Sequence, residues 1–198
     1  MYSNSNIYTV NIRQYFGSAE GMEELRTLIS KFSCPRNPSI ERFLKNNAIN
    51  FTKQDTSVTY LVFSKGIGEF LGYFSLTIRP IEVPADRVSK SLGRRLERAG
   101  RFDRQANIYN AAAYLIAQLG KNYTDGANER ISGSELLGAA WNKLREIQYH
   151  VAGSIAFLEA EDVPELLDFY TRNNFRVFGE RDSEDEGRLI QYVRAVKQ

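Results

Sequence analysis

The stretch from Ala111 to Trp141 constrains the fold of this chain more than any other. An apolar run, Ala113–Leu119, stops at Gly120, a polar loop follows, and helical periodicity resumes over Glu129–His150. This pattern predicts a strand, a loop and a helix with Gly133 in its first turn. Because the first N–H groups of a helix lack intrahelical partners and carry positive potential, the junction is a candidate phosphate site. Packing or turn geometry alone would also account for a glycine there.

The composition excludes several classes of protein. With 198 residues, 42% of them hydrophobic and 25% charged, the chain is typical of one globular domain and not of a disordered or fibrous protein. The single cysteine, Cys34, excludes an internal disulfide and suits a reducing compartment. No apolar run approaches the roughly 18 residues of a membrane span, and Met1–Arg13 has no signal-peptide core. We therefore expect a cytoplasmic protein without membrane association. Neither GxxxxGK[ST] nor GxGxxG occurs, so a bound phosphate would not belong to a P-loop or Rossmann ligand.

Residues 86–110 carry a local charge that the whole chain lacks. The net charge of the protein is only +2. Between Arg87 and Arg104, seven basic residues accompany two acidic ones. Apolar residues at helical spacing would seat one edge of this segment on the protein; they are Val88, Leu92 and Leu96. Its outer face is then either a solvated helix surface or a docking surface for a polyanion such as RNA.

The remaining pattern predicts a mixed α/β fold. Ser57–Ser64 and Phe70–Ile78 are rich in β-branched and aromatic residues and are separated by Gly66-Ile67-Gly68. This pattern predicts an antiparallel hairpin, which Pro80 and Pro84 end. Pro164 suits the first turn of a later helix. Strands and helices alternate in the second half, which favours crossover connections and helices on both faces of the sheet.

Three stretches, within about residues 34–196, resemble the GCN5-related N-acetyltransferase (GNAT) superfamily. The hairpin TYLVFSKGIGEFLGYFSL resembles the second and third strands of that family. LIAQLGKNY followed by RISGSELLGAAW is similar to its fourth strand and pyrophosphate-binding loop and helix, and LLDFYTRNNFRVF to its late helix and strand. The resemblance implies a mixed, mostly antiparallel central sheet with helices on both faces and a splayed central strand. It also implies a single GNAT-like domain over residues 1–198, with a basic helical insertion at about 86–110.

The same resemblance implies a binding site for acetyl-coenzyme A (acetyl-CoA). The pantetheine arm would pair with backbone groups of Leu119, Gly120 and Lys121, and the pyrophosphate with loop amides, namely those of Arg130, Ile131, Ser132, Gly133 and Ser134. Tyr170 matches the tyrosine that in many members protonates the departing thiolate. Asn173 lies where the family often contacts the cofactor.

The loop departs from the family pattern Q/R-x-x-G-x-G/A. Gly133 fills the last glycine position, but Ile131 replaces the first, and Asn128 stands where Gln or Arg is usual. Asn174 likewise replaces a late glycine, which is a tolerable change because asparagine accepts a left-handed conformation.

Acetyl transfer to an amine needs an acid for the thiolate and a donor for the oxyanion. Tyr170 is the candidate acid because a phenol of pKa about 10 resembles the thiol that it protonates; otherwise it is a core aromatic residue. A strand N–H near Leu119 is the candidate oxyanion donor. The sequence does not identify a general base. Glu159 and Glu161 are either candidate bases or ordinary solvated side chains, and His150 lies at the end of a helix, where a capping or surface role is usual. No spacing typical of metal ligands occurs, so we expect no metal.

Two functions follow. The first is an acetyl-CoA-dependent N-acetyltransferase acting on a primary amine. FSCPRNPSIERFLKNNA and FYTRNNF are similar to the GNAT toxins of toxin–antitoxin modules, which acetylate the amino group of aminoacyl-tRNA. That resemblance makes charged tRNA a candidate acceptor and Arg94, Arg95 and Arg98 its candidate contacts. The second function is a non-catalytic acyl-CoA-binding or protein-interaction module with the GNAT fold. The sequence does not decide whether the protein forms a homodimer or binds an antitoxin partner.

Overall fold

The computed structural model describes residues 6–183 and 187–196, and residues 1–5, 184–186 and 197–198 lie outside it. Within the described residues the strands are β1 Ile7–Asn11, β2 Val58–Ser64, β3 Phe70–Pro84, β4 Gly100–Asp103, β5 Ile108–Lys121, β6 Ile155–Glu161, β7 Arg176–Ser183 and β8 Gly187–Ala195. The α-helices are α1 Ala19–Ser30, α2 Pro38–Asn46, α3 Ala48–Lys53, α4 Lys90–Ala99, α5 Gly133–Val151 and α6 Pro164–Arg172. The strands are hydrogen-bonded in the order β1-β2-β3-β5-β6-β8-β7, with β4 beside β5.

The chain divides into two compact units. The first contains the chain up to Thr77 together with Ala117–Asn142, and the second contains Ile78–Ile116 and the chain from Lys143 onwards. Strands β3 and β5 and helix α5 run through both units. A single domain over residues 1–198 remains a prediction.

The first unit is built on the predicted hairpin. Strands β2 and β3 pair antiparallel from Val58 opposite Leu76 to Phe63 opposite Phe70, and β1 pairs with the other edge of β2. Helices α1, α2 and α3 pack on these strands through a cluster that includes Leu25, Leu44 and Ala48. Helix α1 is capped by Ser18, whose Oγ accepts a hydrogen bond from the Gly21 amide, as serine commonly does before a helix.

The second unit contains the crossover part of the sheet. Strands β5 and β6 pair in parallel at Tyr114 with Ala156 and at Leu115 with Phe157, and their described register ends there. The β4–β5, β6–β8 and β7–β8 pairs are antiparallel. Neighbouring residues of β8 face opposite sides of the sheet: Val193 shares a cluster with Leu92 and Leu96 of α4, and Tyr192 contacts Tyr170 of α6. A mostly antiparallel mixed sheet with helices on both faces and a splayed central strand is therefore confirmed.

Strands β3 and β5 are longer than the sequence indicates, since β5 spans Ile108–Lys121 and not only the apolar run Ala113–Leu119. β3 continues through Pro80 to Pro84. Its register with β2 ends at Leu76, so a proline without an N–H is tolerated in a segment that no longer pairs with β2. Strand β6 pairs with β8 over its whole length, from Ile155 to Glu161.

Candidate functional site

The exit from β5 is organised by a buried asparagine that the sequence pattern did not single out. The Asn122 side chain accepts hydrogen bonds from the amides of Ser33, at 3.1 Å, and Thr124, at 3.2 Å. Its amide group donates to the carbonyl of Phe70 at 2.9 Å. Since three chain segments converge on this one side chain, Asn122 determines the direction in which the loop leaves the strand.

Lys121 ties the same loop to the end of β5. Its Nζ donates to the carbonyl oxygens of Asn128, at 2.8 Å, and Ile131, at 3.1 Å. Ile131 is buried, so its side chain anchors the loop from within. The family resemblance assigns both Lys121 and Ile131 to acetyl-CoA. The structure brings these two residues together through a hydrogen bond from the Lys121 side chain to the Ile131 carbonyl.

The structure leaves no room for a side chain at Gly120. A Cβ at this position would overlap the Cγ2 of Ile40 and meet the rings of Phe32 and Tyr73 at 3.5 Å. The hydroxyl of Tyr73 donates to the carbonyl of Ile40 at 2.6 Å, which holds α2 over this point of the strand. Leu119 precedes it, half-buried, on the same strand.

The amino end of α5 is closed by a capping box. The amide and hydroxyl of Ser132 donate to the Glu135 carboxylate at 2.8 and 2.7 Å, and the Glu135 amide donates to the Ser132 hydroxyl at 3.1 Å. These bonds from Ser132 hold the pKa of Glu135 below its usual value. The Arg130 amide donates to the carbonyl of Ala127 at 3.1 Å. Two of the five amides predicted to hold a pyrophosphate, those of Arg130 and Ser132, therefore have protein partners. Gly133 and Ser134 are the first two residues of α5.

Tyr170 and Asn173 lie at the carboxyl end of α6, in the second unit. Tyr170 is buried, and its ring contacts those of Phe175 at 6.0 Å and Tyr192 at 5.0 Å. Burial, and secondly the charge of Tyr192, raise the pKa of Tyr170 well above that of an ordinary tyrosine. Asn173 ends the helix: its side-chain amide donates to the Phe169 carbonyl at 2.8 Å, and its carbonyl accepts from Arg194 at 3.1 Å.

A cavity of about 490 Å³ opens on one face of the sheet in the second unit. Its apolar lining comes from Pro80, Ile81, Leu115, Phe157 and Phe178, and its polar lining from Arg79, Glu82, Glu159 and Gln191. Leu115 and Phe157 are also the last described pair between β5 and β6. The cavity therefore begins where the parallel pairing stops.

Glu159 lines this cavity and forms an ion pair with Arg181. The guanidinium of Arg181 donates to both of its carboxylate oxygens, at 2.6 to 2.9 Å, and Gln191 donates to it at 2.7 Å. Burial opposes ionisation, but the bonds from Arg181 and Gln191 outweigh it and hold the pKa of Glu159 below its usual value. It is thus a carboxylate at neutral pH and a weak base.

The basic segment contains α4, which Ser89 caps: its Oγ accepts a hydrogen bond from the Leu92 amide at 3.3 Å. Leu92 and Leu96 are buried in the cluster that also contains Phe157 and Phe178, as their spacing predicts. Arg94 and Arg98 are exposed and Arg95 is half-buried. Helix α4 therefore packs on the same apolar cluster that lines the cavity, with cations on its outer side.

The other reactive side chains are in ordinary surroundings. His150 stacks edge-on against Tyr149 at 5.2 Å, on an exposed helix end. Cys34 is buried, and burial raises the pKa of its thiol, which makes it inert.

Metal-binding groups and membrane-spanning helices were looked for over residues 6–183 and 187–196. There we find no group of three or more His, Cys, Asp or Glu side chains arranged to hold a metal. No helix in that part of the chain is both long and apolar enough to cross a membrane.

Comparison with solved structures identifies this as the fold of GNAT-type toxins. A mutant of the toxin KacT superposes with a TM-score of 0.64 at 16% identity, covering 97% of this chain and 96% of that one. A mutant of the toxin AtaT bound to acetyl-CoA and the C-terminus of the antitoxin AtaR gives 0.61 at 12% identity, covering 97% and 94%. AtaT complexed with acetyl-methionyl-tRNAfMet gives 0.61 at 14% identity, covering 93% of each chain. The predicted resemblance is confirmed for the fold. No protein-family model and no curated protein sequence matches the chain.

Proposed function

We propose that this protein is an acetyl-CoA-dependent N-acetyltransferase whose acceptor is the amino group of aminoacyl-tRNA. The observation that carries the proposal is the match in fold, over nine-tenths or more of both chains, to a toxin bound to acetyl-CoA and to one complexed with acetyl-methionyl-tRNAfMet. Acetyl-CoA and charged tRNA are both cytoplasmic, which suits a chain with no disulfide framework. Function depends on the site rather than on the fold, so each role below has its own test.

Two features of the second unit support a charged RNA as acceptor. The cavity offers an apolar floor with Glu159 and Gln191 on its wall, which suits an amino acid attached to RNA. The exposed arginines of α4 supply phosphate contacts that carry no sequence information. Both rest on one apolar cluster, so a polyanion along α4 would run beside the cavity.

In the proposed reaction a neutral amine attacks the thioester carbonyl, a C–N bond forms and the C–S bond breaks. The thiolate takes its proton from the hydroxyl of Tyr170. Tyr170 carries that proton at neutral pH, and burial, which raises its pKa, makes it a weaker acid than an ordinary tyrosine, so the phenolate that forms has to be stabilised. The attacking nitrogen gives up one proton to solvent water, because the low pKa of Glu159 makes that carboxylate a poor base. Backbone groups of Leu119 to Lys121 and amides of the loop from Arg130 to Ser134 are the proposed contacts of the donor.

Charge reversal on α4 tests the acceptor. We expect the triple variant Arg94→Glu, Arg95→Glu and Arg98→Glu to acetylate charged tRNA far more slowly at low salt than wild type. The slope of log activity against log salt should decrease by about 2 to 3, since each lost phosphate contact contributes roughly 0.7 to 0.9. The measurement is acetyl transfer to charged tRNA by mass spectrometry between 50 and 200 mM salt, on the order of physiological ionic strength.

A matched control reverses three exposed cations of the first unit, Arg26, Lys31 and Lys65. This control should keep the wild-type salt slope. If the α4 variant also keeps wild-type activity at low and high salt, the acceptor is not RNA bound through α4.

The capping box favours a second candidate, a non-catalytic module with this fold. Glu135 places a carboxylate at the end of α5 where a pyrophosphate is expected, and it occupies the amide of Ser132. Calorimetry with acetyl-CoA, followed by thiol-release assays on a panel of amines that includes charged tRNA, separates the two functions. Turnover supports the transferase, and binding without turnover supports the module.

A further inference from the structure

Tyr192 carries a buried hydroxyl that the fold does not use. The residue lies on β8 with 0% of its surface exposed, and its hydroxyl has no hydrogen-bond partner in the part of the chain that the structure describes. A phenylalanine would fill the same space without leaving a buried hydroxyl unpaired. A hydroxyl kept at this position is therefore a candidate for a role outside folding.

The neighbour of Tyr192 is the proposed acid. Its ring lies 5.0 Å from that of Tyr170, with an angle of 45° between the planes. Successive residues of a strand face opposite sides of a sheet, so Tyr192 faces α6, whereas Gln191 lines the cavity on the other side. Strand β8 thus presents one residue to the proposed acceptor cavity and the next to the proposed acid.

The chemistry of the proposed transfer creates a need for such a hydroxyl. When the O–H bond of Tyr170 breaks and an S–H bond forms on the leaving thiolate, the electron pair stays on the phenolic oxygen. The surroundings are apolar, and burial disfavours the phenolate. A neutral phenol beside it can donate a hydrogen bond that becomes strong only as the charge develops, which lowers the barrier rather than the energy of the ground state.

We propose that Tyr192 is a positioning residue for this transfer, whose unpartnered hydroxyl donates to the oxygen of Tyr170 as Tyr170 gives up its proton. Tyr170 then regains a proton from solvent. The inference rests on the proposed function. Burial, and secondly the charge of Asp162, raise the pKa of Tyr192, so this group keeps the proton that it has to donate.

A double-mutant cycle tests the pair. Tyr192→Phe, Tyr170→Phe and the double variant are compared for kcat and KM with acetyl-CoA and charged tRNA. We expect Tyr192→Phe to lower kcat about tenfold, as loss of one charge-dependent hydrogen bond does, with the KM for acetyl-CoA unchanged. The double variant should be no slower than Tyr170→Phe, because Tyr192 acts through Tyr170.

Thermal unfolding supplies a readout independent of activity. Tyr192→Phe should keep or raise the Tm, because an unpartnered hydroxyl is removed. The matched control is Tyr73→Phe: that phenol is equally buried, but its hydroxyl donates to the carbonyl of Ile40, so the Tm should fall.

Three results overturn the role of Tyr192 while leaving the proposed function intact: an active Tyr192→Phe variant with wild-type kcat, losses that multiply in the double variant, or a Tm that falls as it does for Tyr73→Phe. Wild-type protein that releases no thiol with any acceptor overturns the proposed function itself, and the role of Tyr192 with it. The wild-type measurement therefore distinguishes the two failures.

Discussion

The backbone amide of Ser132 donates a 2.8 Å hydrogen bond to the carboxylate of Glu135, which places a negative charge on the amino end of α5. Helix dipoles favour anions at this end, and a capping glutamate competes there with any external anion. The end of α5 is therefore stabilised without a ligand. A ligand phosphate has to displace Glu135 or bind beside it.

We predict that Glu135→Gln tightens the binding of acetyl-CoA about two- to fivefold, because a competing anion at a helix amino end is worth about 0.3 to 1 kcal/mol. Calorimetry at low salt measures the change in Kd. Glu146→Gln, which removes an exposed charge farther along the same helix, is the control and should leave Kd unaltered. Weaker binding by Glu135→Gln would show that the capping box organises the site instead of competing for it.

Tyr170→Phe should lower kcat for acetyl transfer by about 10²- to 10⁴-fold, the range that one general acid contributes. Phenylalanine keeps the ring contacts with Phe175 and Tyr192, so the circular dichroism spectrum and Tm should change little. Tyr149→Phe is the control, because Tyr149 is 81% exposed. Thiol release with saturating acetyl-CoA is the measurement, and a Tyr170→Phe enzyme as fast as wild type excludes this phenol as the acid.

The pair formed by Glu159 and Arg181 predicts a pH dependence of stability. Since the pKa of Glu159 is lowered in the folded protein, its ionisation stabilises the fold above the ordinary glutamate pKa, and this stabilisation is lost as the pH falls below that value. Glu159→Gln should lower the free energy of unfolding by about 1 to 2 kcal/mol at neutral pH. Urea denaturation at neutral pH and at about pH 3, below the ordinary glutamate pKa, should show the difference shrinking in acid. An equal difference at both pH values would mean that the charge of Glu159 contributes nothing.

Two glycines that look alike in the sequence should respond oppositely to alanine. Gly120→Ala would overlap Ile40 and cost about 1 to 3 kcal/mol of stability, as overpacking does. Gly138→Ala lies inside α5 with no atom within 4 Å of the added Cβ, so it should gain about 0.5 to 1 kcal/mol from better helix propensity. Thermal unfolding of both variants measures the contrast. A stable Gly120→Ala protein would show that α2 can move away from β5.

Much of the fold was readable from local sequence. The hairpin, the capping role of Ser18, the proline at the start of α6 and the strand-loop-helix around Gly133 all follow from side-chain period, turn residues and capping chemistry. The spacing of Ser132 and Glu135 is also a capping-box signature, so their bond was predictable in principle. The bounds of β3 were not, because passage through Pro80 depends on where the register with β2 ends.

The sequence by itself determined which segments form strands and helices, since backbone sterics and the period of apolar residues act over a few neighbouring positions. Only the tertiary structure decided that Tyr192 lies against Tyr170, that Arg181 holds Glu159 as a carboxylate, and that Asn122 organises the loop after β5. These contacts join distant residues, so they depend on strand register and on packing that no local pattern encodes. A phenol or a carboxylate has no assigned chemistry until its neighbours are known, because burial and hydrogen bonds, not residue type, decide where its proton resides.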